Sequence, residues 1–276
     1  MSVYFYCLQK SPGVTELIEA LGATRLRRFD GLDFWDKHRR VELKENDSIV
    51  CWSTGLPELE GIKVLNPTRR KLTKYEELYN LAINGIVVVR IYSSPLHGIP
   101  GILARSNHHK GADDLLNPPK NPDYWTTKED ISGEYRLHSF GGRSIKAGVK
   151  KVREGFTIAE SEVAYKKGIA EGKLLAHPWI RSTKTGWFVD YENFTSTAKM
   201  KQIAHKSIEI LGLTFGAVDI GERTADGTLF VMGVSRAPEI EAKSMGAYQR
   251  AITKWLEGET EEKEHAIPVT LEEDLF

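Results

Sequence analysis

The chain is short of cysteine: only Cys7 and Cys51 occur in 276 residues, and they do not fall at metal-ligand spacing. That excludes a disulfide framework and a zinc ribbon. Both cysteines sit in apolar, strand-like runs and read as buried free thiols, which suits a reducing compartment. Net charge is also missing, with 38 Lys+Arg against 38 Asp+Glu, so there is no bulk pull toward nucleic acid or a membrane surface. No apolar run approaches the roughly 18 residues of a membrane span. There is no glycine-rich phosphate loop of the usual spacing, no internal repeat and no low-complexity segment. The opening SVYFYCLQK lacks the basic start and long apolar core of a secretory signal. A cytoplasmic protein without membrane or nucleic-acid partners is the expectation.

What is present is a globular composition and a chain long enough for a large core or several packed layers. Ser2–Leu8, Asp47–Trp52 and Gly61–Leu65 read as strands, with Ser11-Pro-Gly ending the first and a helix over Val14–Leu21. Strand–helix–strand order predicts a small α/β layer over residues 1–66, closed by Asn66-Pro67. Its basic stretch (Arg25, Arg27, Arg28, Lys37, Arg39, Arg40) reads as a solvated face. Residues 67–128 read as a linker helix over Lys71–Ile83, a strand Ile86–Tyr92 buried on both faces, and a strand leading to Arg105. The adjacent His108-His109 reads as loop rather than metal ligand. Gly111 ends a polar loop that could approach an anion through backbone N–H groups. Residues 129–257 form the third unit and 258–276 an acidic tail. The fold class is α/β (α+β).

The centre of the sequence reading is Leu211–Glu241. Phe215–Ile220 and Leu229–Ser235 read as antiparallel strands around the turn signal Asp226-Gly227. With a three-residue loop, Asp219 faces Gly233 and Ala217 faces Ser235. A carboxylate inside an apolar strand is costly unless paired or bound to a cation, so Asp219 is a functional candidate, set against a plain strand-edge Asp in water. Glu222 points to the opposite face.

Upstream, Gly133–Phe140 alternates, placing Glu134, Arg136 and His138 on one face. Gly141-Gly142 turns the chain, and the returning strand, Ser144–Val152, carries Lys146 and Lys150. A cationic sheet surface without matching acids suits phosphate; a solubilising face is the alternative. Residues 156–175 read as amphipathic and irregular. Ala176–Arg181 reads as a strand ending on Arg181, and Gly186–Val189 as the next. The clearest helix covers Thr195–Leu211, and a last helix covers Ser244–Leu256.

GLTFGAVDI followed by a turn and VMGVSRAPEIE resembles the metal-binding hairpin of ATP-grasp ligases, above all the phage-encoded ATP-grasp-like carboxylate–amine ligases. The likeness extends through EYRLHSF, Lys150 and HPWIRSTKTGWF, and covers the C-terminal half more closely than the N-terminal half. It implies an ATP-grasp fold and ATP with Mg2+ as cofactors. It implies ligation of a carboxylate-bearing acceptor, such as a peptide or protein, to an amine donor through an acyl phosphate. It implies phosphate or nucleotide contacts from Arg105, Glu134 and Lys150, catalytic roles for Arg181 and Arg136, and metal contacts from Asp219, Ser235 and Glu241. A phage origin would place the protein in the host cytoplasm. One departure stands out: the family's metal-binding Glu and Asn are Gly233 and Ser235 here. That leaves a second reading open, a nucleotide- or peptide-binding relative without catalysis, and a third, an interaction protein using its basic N-terminal surface.

Overall fold

The computed structural model describes residues 2–7, 11–30, 33–36, 39–52, 56–67, 72–94, 101–107 and 116–259. His108-His109, the loop ending at Gly111 and most of the acidic tail lie outside the described residues.

The chain opens with β1 (Val3–Tyr6) and α1 (Pro12–Ala20). Ser11 does not merely stop the strand: its hydroxyl accepts from Val14 N at 3.3 Å and caps the helix, with Pro12 in the first turn. Proline is preset for that position and has no N–H to leave unpaired. After β2 (Thr24–Leu26) comes an antiparallel meander of β3 (Arg28–Asp30), β4 (Asp33–Asp36) and β5 (Arg39–Val41). Of the basic stretch, Arg25, Arg28, Arg39 and Arg40 are therefore on strands, Arg39 and Arg40 are exposed, and Lys37 lies outside the described residues. With β6 (Ser48–Cys51) and β7 (Lys63–Leu65), β1 and β2 make a parallel sheet in the order β2-β1-β6-β7. Alternation splits its side chains between two cores. Phe5, Val50 and Trp52 pack with Val14 and Leu17 of α1, while Tyr6, Ile49 and Cys51 pack with Phe34 and Leu56.

Helix α2 (Lys74–Ile83) starts with a capping box between Thr73 and Glu76. The run Ile86–Tyr92 is not a strand buried on both faces: only β8 (Ile91–Tyr92) is strand, and Val87 is 51% exposed. Its middle meets Val231 through Val89 N to Val231 O and Val231 N to Val87 O, a single bridge rather than a ladder. β9 (Ile102–Arg105) and β10 (Tyr124–Thr127) complete a small sheet in the order β8-β10-β9.

Next along the chain come β11 (Ile131–Phe140), β12 (Arg143–Val152), β13 (Thr157–Ile158), α3 (Glu162–Ala170) and β14 (Leu175–Ala176). Then come β15 (Trp187–Asp190), α4 (Ala198–Ile210), β16 (Phe215–Arg223), β17 (Leu229–Ser235) and α5 (Ala242–Glu257). The segment expected to be irregular holds α3, started by Ser161, whose hydroxyl accepts from Ala164 N. The strand expected over Ala176–Arg181 ends at Ala176. His177 Nδ1 accepts from Trp179 N and Ile180 N, and these bonds fold the segment into a turn.

Five antiparallel strands in the order β15-β12-β11-β16-β17 form the main sheet. One face is apolar. Leu137, Val218, Ile220 and Val234 pack against Met200, Ala204 and Ile208 of α4. The other face is apolar at one end, where Phe140 and Phe215 meet Tyr248 and Ile252 of α5 and the core of the parallel layer. Trp52 stacks on Phe215 at 4.8 Å and meets Tyr248 edge-on at 5.2 Å. Asn66, at φ 60°, fastens the same junction: its side chain donates to Phe215 O at 3.0 Å and accepts from Thr214 N at 2.6 Å. The rest of that face carries the polar residues.

Candidate functional site

The register of the main sheet sets these polar side chains next to one another. Arg136 pairs with Asp219 across β11 and β16, and Gly148 flanks Arg136 on β12. The Arg136 guanidinium donates to both carboxylate oxygens of Asp219, Nε at 2.8 Å and Nη2 at 3.0 Å. Burial alone would raise the Asp219 carboxyl, but the Arg136 charge and hydrogen bonds outweigh it and hold the group at about 2. Asp219 in turn pushes Arg136 further up, so the pair stays ionised.

Beside them Lys150 on β12 donates to the Glu134 carboxylate on β11, and to Arg181 O at 2.6 Å. Two cations of the face expected from the sequence are therefore in ion pairs, Arg136 with Asp219 and Lys150 with Glu134, each across neighbouring strands. The charge that the sequence could not pair is paired across strands 16 and 83 positions apart.

Arg181 differs. Its Nη2 donates to Ile131 O at 2.8 Å, its guanidinium lies 4.9 Å from the Trp187 ring centre, and its Nε is buried without a partner. It makes no ion pair among the described residues. Burial lowers its pKa, with Glu134 opposing. Arg181 lines a cavity of about 300 Å³ with Lys128, Glu129, Asp130, Ile131, Pro178 and Trp179. The Lys128 ammonium lies 4.3 Å from the Trp179 ring centre, and the Trp179 indole N–H donates to Glu162 at 2.5 Å. Trp179 and Lys128 were not singled out in the sequence: the His177 side chain makes the turn that carries Trp179, and Lys128 follows β10 some fifty residues earlier.

Asp219 faces Gly233 and Ala217 faces Ser235, as the sequence predicts. The reason differs. The hairpin tip has four residues between Arg223 and Thr228, not three, and a bulge between Val231 and Gly233 restores the register at Asp219. Glu222 does lie on the other face, accepting from the Tyr135 hydroxyl at 2.5 Å. Glu241 stands at the start of α5, where its backbone N–H donates to Ser244 Oγ at 3.2 Å. Burial first, then Glu239, raise its carboxyl, and Arg136 opposes them. Arg105 ends β9 in the small sheet, paired with Tyr124, and is not on the main sheet.

A further group went unseen in the sequence. His138, fully buried, joins two phenols: its Nδ1 lies 3.0 Å from the Tyr248 hydroxyl and its Nε2 2.9 Å from the Tyr191 hydroxyl. Burial, then Arg136, lower the imidazole to about 3, so it is neutral. Alternation placed His138 on the Arg136 face; nothing in the sequence pointed to partners 53 and 110 residues away.

No family profile matches this chain, and no curated protein matches it. Solved structures do. The chain is similar to the ATP-grasp ligase PsnB in complex with a minimal precursor: TM-score 0.61 and 12% identity, covering 92% of this chain and 98% of that one. It is similar to the macrocyclase MdnC of Microcystis aeruginosa MRC, bound with precursor peptide MdnA, at TM-score 0.56 and 12% identity over 94% of this chain and 100% of that one. It is also similar to D-alanine–D-alanine ligase of Bacillus anthracis at TM-score 0.55 and 11% identity, over 94% and 97%. The chain has the ATP-grasp fold. No helix among the described residues is long and apolar enough to cross a membrane.

Proposed function

We infer that this chain binds ATP between the main sheet and the cavity of Arg181, and uses it to join a carboxylate to an amine. The observation that carries this reading is Arg181: a guanidinium with no carboxylate partner among the described residues, lining a cavity, with its backbone carbonyl tied to Lys150. Phosphoryl transfer needs little covalent help from a protein; it needs placed cations and a held acceptor. In this reading Arg181 and Lys150 face the phosphates, and Arg136, held flat by Asp219, meets the acceptor carboxylate through its remaining N–H groups. The carboxylate oxygen attacks the terminal phosphorus, the bond to the bridging oxygen breaks, and ADP leaves. The amine then attacks the acyl carbon, phosphate departs with the bonding pair, and the amine proton is lost to water. No enzyme nucleophile is required. Precursor peptides in the PsnB and MdnC structures support a peptide carboxylate as the acceptor.

The test is calorimetric ATP binding, followed by ADP release with peptides carrying Asp, Glu or C-terminal carboxylates and an amine donor. The reading requires ATP binding that Arg181→Met weakens about tenfold while the fold survives. ATP that fails to bind removes it.

A second reading, a relative that binds nucleotide and peptide without ligation, has one observation in its favour. Gly233 stands across from Asp219 where the resemblance calls for a carboxylate. ATP binding without ADP release in the presence of every acceptor would select it.

A further inference from the structure

The resemblance implies magnesium held by Asp219 with Ser235 and Glu241, and the donors present do not fit that cation. Mg2+ takes six oxygens at near-octahedral geometry and draws on one or two free carboxylates. Neither oxygen of Asp219 is free of a partner: each accepts from Arg136, at 2.8 and 3.0 Å. The residue across from Asp219 is Gly233, where an added Cβ would meet nothing within 4 Å, so no side chain enters from β17 at this point. Ser235 offers a neutral hydroxyl. Among the described residues no three His, Cys, Asp or Glu side chains converge into a cation site.

We propose that Asp219 is the positioning carboxylate of Arg136 and not a metal ligand, and that this sheet face meets its anionic ligand with guanidinium and ammonium groups, holding no divalent cation of its own. The first half stands on the geometry alone; the second rests on the nucleotide reading above. An arginine has five N–H donors in a planar fork. Asp219 uses two of them, which fixes the plane and leaves three for a ligand. A cation entering at Asp219 would compete with both charge-assisted bonds for the same carboxylate and bring a like charge against a partly buried guanidinium. Magnesium that accompanies ATP in solution is carried by the phosphate oxygens and needs no protein carboxylate.

Two measurements on the full chain test this separately. In the first, Mn2+ alone is titrated and the free ion is followed by electron paramagnetic resonance. Wild type is expected to leave the free-ion signal as it is in buffer up to millimolar metal. One equivalent of bound Mn2+, lost in Asp219→Asn, would overturn the proposal. In the second, ATP affinity is measured calorimetrically in EDTA and in excess Mg2+. Wild type should bind within about threefold under both conditions, and Asp219→Asn should weaken both by about tenfold through a misaimed Arg136. Wild-type binding that requires Mg2+, or an Asp219→Asn loss confined to Mg2+, would overturn the proposal. Should Asp219→Asn fail to fold, the wild-type arms still decide. ATP that binds in neither condition removes the nucleotide reading and the second half with it, while the Mn2+ titration decides the role of Asp219 by itself.

Discussion

The Lys150 ammonium ties a strand to a turn: it donates to the buried Glu134 carboxylate on β11 and, at 2.6 Å, to the backbone carbonyl of Arg181. One side chain thus holds both a sheet carboxylate and the turn that presents the unpaired guanidinium. Lys150→Met leaves Glu134 charged and buried, and is expected to cost about 3–5 kcal/mol in urea unfolding. Adding Glu134→Gln should recover much of that loss. The double variant should still bind ATP more weakly than wild type, because the Arg181 turn is no longer tied.

Acid should act on Asp219 within a defined window. Its carboxyl ordinarily titrates at 3.8 and sits at about 2 in the fold. Between these values the unfolded chain binds the extra proton, so stability rises with pH and is lost as pH falls through the window. The stabilisation is fully present above pH 4. Chemical unfolding at pH 5, 4, 3 and 2 should show the drop, and Asp219→Asn should remove its share of it.

His138 contributes at milder pH. The free imidazole titrates at 6.5 and the buried one at about 3, because burial and Arg136 oppose the charge. Below 6.5 the unfolded chain gains a proton that the folded chain refuses. Stability should therefore fall as pH drops, by up to about 1.4 kcal/mol per pH unit over this window. His138→Gln should flatten that slope. In nitrogen-detected magnetic resonance the wild-type ring should remain neutral at pH 5.

The junction between the parallel layer and the main sheet rests on Trp52, which is 2% exposed and stacked on Phe215. Trp52→Ala should cost about 3–5 kcal/mol. If the two layers share one core, tryptophan fluorescence and circular dichroism of the variant will still report a single transition, at lower denaturant.

Much of this arrangement was legible in the sequence wherever periodicity was long. The alternation in Gly133–Phe140 put Glu134, Arg136 and His138 on one face, and the hairpin around Asp226-Gly227 put Asp219 across from Gly233. Helices α2, α4 and α5 announced themselves by spacing and end signals. The short strands β1, β6 and β7 showed as apolar runs, whereas β2 to β5, equally short, carry charged residues among the apolar ones and did not. At His177–Arg181 Pro178 was the only turn signal in the sequence, and the His177 side chain that accepts from Trp179 N and Ile180 N carries none. The pairing of Arg136 with Asp219 was hidden, because strand order is set by cores formed between distant segments, and the neighbour of a charge follows from that order.

The bulge in β17 has one more effect. The hairpin's tip and its base run in different registers, joined at Met232, where one strand carries a surplus residue. Lengthening or shortening the Thr224–Gly227 connection can be absorbed by gaining or losing that slack. The tip can then take an insertion or a tag without sliding Asp219 past Gly233.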